Sequence, residues 1–167
     1  VHVTFCLSLS FLLFPPRKRK DQSTNWWDVC LAFISLVPIA YMWIDYERIV
    51  DRIEYVDPIT LPDHIVCTLL LILVLEATRR VIGMAMVYVV LATLVYTYIG
   101  PWIPGVFGHT GLTWNMFIDQ EVMTMNGIFS IPIAISATYV VNFVIFGALI
   151  VHTGMADAQI DRSKAIA

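Results

Sequence analysis

Residues Leu73–Gly83 read "LVLEATRRVIG", and the fold turns on how these eleven positions are understood. They lie inside an apolar run from Ile65 to Ile99 whose interior is dented mainly by Glu76, Arg79 and Arg80. A single helix of that length would extend about 50 Å, whereas the hydrocarbon core of a bilayer is about 30 Å thick. The run therefore divides into two spans. Arg79 and Arg80 mark the joint, a tight turn at a membrane surface where their charge costs little, and Gly83 eases the turn. Glu76 stands one helical turn before the arginines and can pair with both along one helix face. Such a group serves either as a neutralised helix end or as a lock to another helix or domain.

The composition of the whole chain calls for the same solvent. Of 167 residues, 59% are hydrophobic and only 14% are charged, against about 45–50% and about 25% in soluble domains. Five segments approach the roughly 20 apolar residues that a spanning helix needs: Val1–Phe14, Trp26–Ile44 (kinked at Pro38), roughly Leu61–Thr78, Val81–Ile99 and about Ile128–Val151. The expected fold class is all-α, an integral membrane helical bundle of about five transmembrane helices. The chain opens in an apolar run without an initiator methionine, and its basic cluster follows that run instead of preceding it. This order is wrong for a signal peptide and suits a fragment whose first helix is cut near its start.

Charge placement orients the bundle. Arg17, Lys18, Arg19 and Lys20 follow the first span, Arg79 and Arg80 the third, and Arg162 and Lys164 the fifth, while only Arg48 and Arg52 fall on the other side. The excess of basic residues predicts that the cluster at 17–20, the Arg79–Arg80 turn and the C-terminus face the cytoplasm. The opposite loops are "DYERIVDRIEYVDPITLPD", whose "YERIVDRIEYV" part forms either a short interfacial helix or a solvated loop, and "GPWIPGVFGHTGLTWNMFIDQEVMTMNG", which is rich in glycine and proline, then turns helical, with Trp102 and Trp114 as outer-surface anchors.

Catalytic patterns are missing: there is no HExxH, no GxSxG, no phosphate-binding glycine loop and no CxxC pair. His2, His64, His109 and His152 are far apart, and Cys6, Cys30 and Cys67 read as packing residues, so neither metal nor cofactor is expected. The basic cluster reads as a lipid-facing anchor and excludes nucleic acid as a partner. The segment "NGIFSIPIAISATYVVNFVIFGAL" joins Pro132 to Ser130, Ser136, Thr138 and Asn142 in strongly apolar surroundings, and Gly/Pro-interrupted spans point to a transporter core. Ser136 and Asn142 are the candidate substrate-binding residues; a kinked packing helix is the competing account.

"LLILVLEATRRVIG", the "Y-x-x-x-G-P-x-x-P-G" ending and "NGIFSIPIAISATYVVNFVIFGALIVHTG" together resemble the permease of tripartite ATP-independent periplasmic (TRAP) transporters. They are most similar to the type in which the small Q-like and large M-like parts are fused and which works with TAXI-type binding proteins. "FLLFPPRKRK" and "YERIV" fit the same pattern. The resemblance implies residues 1–55 as a Q-like region and residues 61–167 as the beginning of the M-like region. It also implies sodium-driven import of an organic, carboxylate-bearing solute across the bacterial inner membrane. Its partners would be a periplasmic binding protein and the remainder of the permease. Ser130 stands where the pattern usually has glycine, and "IVHTG" replaces a more charged helix end. Because the family's sodium and substrate hairpins lie further downstream, no binding residue is carried over. A non-transporting membrane scaffold or assembly subunit is the alternative reading.

Overall fold

The structure, a computed structural model, describes residues 1–15, 26–155 and 162, and the regular elements among them are all helical. The basic cluster at 17–20 and Lys164 lie outside the described residues. In chain order the helices are α1 (His2–Leu13), α2 (Trp26–Ile34), α3 (Val37–Ile44), α4 (Tyr46–Asp51), α5 (Leu61–Val81), α6 (Met84–Ile99), α7 (Trp114–Ile118), α8 (Ile131–Ile135) and α9 (Val141–His152). Single π-helical turns follow α7 (Asp119–Met123) and α8 (Ser136–Val140).

Four helical segments among the described residues are long and apolar enough to cross a membrane: Trp26–Ile44, Leu61–Val81, Met84–Trp102 and Ile131–His152. The first of the five segments read from the sequence is a shorter apolar helix of 12 residues. It ends where expected: Phe14, the residue before Pro15, turns to an extended conformation (φ −117°, ψ 84°), because a proline ring excludes the helical region for its predecessor.

The chain divides into two units, residues 1–128 and 129–167. The first is organised around α5, which packs against α1, α3, α6 and α7. Its buried residues Asp63, Val66, Cys67, Leu70, Leu73 and Ala77 recur at three- and four-residue steps and so form one stripe. Val3, Leu7 and Phe11 of α1 form the same kind of stripe. Cys67 is fully buried, as a packing cysteine should be, and the three described cysteines are all free.

Pro38 divides the second span as expected, and the surrounding groups compensate for the break. α2 ends at Ile34, and α3 begins with Pro38 in its first turn. At the break the Leu36 amide donates to Phe33 (3.0 Å) and not to Ala32. The Ala32 carbonyl accepts instead from the hydroxyls of Ser35 (2.7 Å) and Ser8 of α1 (3.1 Å), which also bond each other at 2.7 Å. A backbone carbonyl left open in an apolar medium costs several kcal/mol, so this serine pair is what makes the break tolerable.

The joint between the third and fourth spans lies at Ile82–Gly83, just beyond the arginines. Gly83 has φ +115° and ψ 177°, a region accessible essentially to glycine alone. "YERIVD" forms the six-residue α4, and the loop from Gly100 turns helical after Thr113, whose hydroxyl caps the Met116 amide at 3.4 Å.

The second unit holds the fifth span. Here one expectation is corrected. Pro132 does not break the helix; it occupies the first turn of α8, where its missing N–H would have had no helical partner in any case. The irregularity lies one turn later, in the π turn Ser136–Val140, through which the helix continues with ordinary right-handed dihedrals into α9.

Candidate functional site

The charged residues of the first unit gather at the two ends of α5, about 25 Å apart along its axis. At the Arg80 end, Glu76 accepts from Arg79 Nε and Nη2 (both 2.7 Å) and from Arg80 Nε (2.8 Å). Arg80 Nη1 reaches across to Asp28 Oδ1 at 2.7 Å, and its guanidinium lies 5.0 Å from the centroid of the Phe11 ring. Asp28 stands in the first turn of α2 and Arg80 in the last turn of α5, so each charge also faces the favourable end of its own helix dipole. Arg79 is 36% exposed, but Arg80 is 3% and Asp28 4% exposed. Of the two arginines expected at a membrane-surface turn, Arg79 is therefore open to its surroundings and Arg80 is enclosed. Arg80 is sequestered because α1 and α2 cover it, and two carboxylates and an aromatic face take the place of water around its guanidinium.

At the Leu61 end, the Asp63 carboxylate collects five donors. Arg48 grips it with Nη1 (3.0 Å) and Nη2 (2.7 Å), Tyr41 donates its hydroxyl at 2.6 Å, and Thr60 gives both its amide (2.9 Å) and its hydroxyl (2.6 Å). The Asp63 partnership, with a second bond to Asp45, pushes the Arg48 pKa up. A second pair lies nearby. Arg52 Nη1 and Nη2 hold the two oxygens of Asp119 at 2.7 and 2.8 Å, and the Tyr55 amide adds a bond at 3.0 Å. The Tyr55 hydroxyl also donates to Gln120. Hydrogen bonding to Asp119 raises the Arg52 pKa against the opposing effect of burial. Both arginines of the acidic loop are thereby committed to aspartates, and α4 with its connection is strapped to α5 and to the segment after α7.

These arrangements suit mechanical fastening. Among the described residues no group of three or more His, Cys, Asp or Glu could hold a metal ion. The two substrate candidates of the fifth span are in the other unit. Ser136 opens the π turn and Asn142 lies in the first turn of α9, where its side chain is exposed. Their neighbours Ala137 and Val141 are half-buried, whereas Thr138, Tyr139 and Phe143 are exposed.

Sequence reading singled out Glu76, Arg79 and Arg80 but missed the partners that give them a role, Asp28 above all. It also missed Asp63, Asp119 and Tyr41. Asp63 had a signal: "TLPD" is the S/T-x-x-D/E pattern that opens a helix. Asp119 had none, because Arg52 lies 67 residues away from it.

Apolar helices of spanning length, with charged residues gathered near their ends, define a multi-pass membrane protein. Residues 69–167 match the family pattern described as "Tripartite ATP-independent periplasmic transporter, DctM component", and the chain belongs to that family. Membership implies a system with a periplasmic binding protein and a DctQ component as its other parts. Searches of curated proteins and of solved structures returned no match.

Proposed function

We propose that this chain supplies part of the membrane permease of a sodium-driven importer of organic, carboxylate-bearing solutes, in which residues 1–55 are a Q-like brace fused to an M-like region starting near residue 61. In this reading a periplasmic binding protein of the TAXI type delivers the solute at the bacterial inner membrane. The observation that carries it is the pair of buried ion pairs, Asp28–Arg80 and Arg52–Asp119. Each joins a residue upstream of the DctM match to one within it. Buried ion pairs with good geometry specify which surfaces meet, and a brace needs such definition. The basic residues favour the Arg80 end of α5 as cytoplasmic. Ser136 and Asn142 remain the candidates for solute contact, since π turns within helices often occur at functional sites.

The test is reconstitution of the permease with every membrane segment encoded alongside this chain. It would be supplied with its binding protein and a labelled mixture of dicarboxylates, keto acids and amino acids. Uptake is expected to require both an inward sodium gradient and the binding protein, and to collapse with a sodium ionophore. Residues 1–167 alone are expected to take up nothing, because one polar span cannot enclose a solute. Uptake indifferent to sodium would reject the coupling. A complete assembly that never transports would favour the scaffold reading.

A further inference from the structure

A groove of about 460 Å³ runs between α5 and α6 and is closed by the segment around α7. Leu71 and Leu75 of α5 and Val90 and Leu94 of α6 form its walls, so it lies along two membrane-spanning helices. Trp114, Phe117 and Glu121 complete the lining. The indole and phenyl rings stack at 5.6 Å, an aromatic anchor of the kind found at membrane–water boundaries. Asp119, two residues before Glu121, is tied to Arg52 and Tyr55 in the connection leading into α5, which anchors the segment that carries Glu121.

Glu121 is unlike the other carboxylates buried in this unit. Asp28, Asp63 and Asp119 each hold an arginine. The Glu121 side chain has no hydrogen bond or ion pair among the described residues, and burial alone pushes its pKa up. The groove lining contains no basic side chain. A half-buried carboxylate lining an apolar groove is complementary to a molecule with a cationic head and a hydrocarbon tail.

We propose that the groove seats one phospholipid, with an acyl chain between α5 and α6 and an ammonium headgroup bound by Glu121. The bilayer supplies such a molecule at high local concentration. A primary ammonium donates hydrogen bonds to the carboxylate as well as charge, so phosphatidylethanolamine is preferred over phosphatidylcholine, and phosphatidylglycerol is disfavoured.

The permease, produced with all the membrane segments encoded with it, would be delipidated in detergent and titrated with each of the three lipids, with bound lipid read by native mass spectrometry. One equivalent of phosphatidylethanolamine should be retained. Glu121→Gln should weaken it about tenfold, the weight of one charge-assisted hydrogen bond, while Glu121→Asp retains most of the preference. A second measurement does not depend on these variants. Phosphatidylethanolamine with brominated acyl chains should quench a fluorescence component that is present in the wild type and absent in Trp114→Phe. Equal retention of the three lipids, or no effect of Glu121→Gln on retention, overturns the proposal. So does the absence of Trp114 quenching, which is the result expected if a protein segment fills the groove.

Discussion

Arg80 shows how one side chain can be costly and structurally decisive at once. Its guanidinium is almost fully enclosed by Asp28, Glu76 and Phe11, so removing its main partner strands a charge without water. Asp28→Asn should destabilise the protein by about 3–5 kcal/mol, the usual cost of breaking a buried pair from one side. The double change Asp28→Leu with Arg80→Met should cost much less, since neither charge is then left alone. Glu76→Gln should cost about 1 kcal/mol, because Glu76 is 26% exposed and its other partner, Arg79, is 36% exposed. Thermal midpoints of the detergent-solubilised protein, combined in a mutant cycle, check this ordering. A Glu76 variant as damaged as the Asp28 variant would move the centre of the lock to Glu76. The acidic member that matters was hard to see in the sequence: Asp28 follows two tryptophans at the start of an apolar span and looks like an ordinary first-turn acid.

At the scale of elements, the breaks between helices carry the information. The α5–α6 joint rests on Gly83, whose backbone conformation no side-chain-bearing residue adopts without strain. No atom lies within 4 Å of the position where a Cβ would stand, so the effect of Gly83→Ala is purely conformational. It should cost about 1–3 kcal/mol, read as a lower thermal midpoint with unchanged helix content by circular dichroism. An unchanged midpoint would mean that the joint relaxes into another turn. The division at Pro38 and the joint near Gly83 were both legible in the sequence, because proline and glycine act on the backbone wherever they stand. The break assigned to Pro132 was not, because a proline interrupts a helix only from its interior and the helix start at Ile131 depends on how the preceding residues turn.

At the scale of the whole molecule, the two charged clusters at opposite ends of α5 brace the first unit across the thickness of a bilayer. Topology can be tested directly. In a background with Cys6, Cys30 and Cys67 replaced by alanine, Val106→Cys should react with an impermeant thiol reagent in intact cells, and Ser23→Cys should not. Val106 is 98% exposed in the loop after α6, so failure to label there, with labelling at Ser23, would invert the orientation proposed from the basic residues. The same loop is built around His109, which packs edge-on against Tyr96 at 4.9 Å and accepts the Gly111 amide through Nδ1 at 3.0 Å.

Membrane residence, helical class and the division of the long run from Ile65 to Ile99 follow from the sequence by itself. Each depends on sums over neighbouring residues: apolar length against bilayer thickness, and the local cost of glycine, proline and charge. Tertiary structure alone decided which face of each helix is buried, because helices that are apolar all round carry no stripe to read. It also decided the partners of the charges. Arg80 meets Asp28 across 52 positions and Arg52 meets Asp119 across 67, and electrostatic pairing acts through space. Only packing around α5 brings those groups within 3 Å, and the same packing leaves Glu121 as a carboxylate with no cation beside it among the described residues.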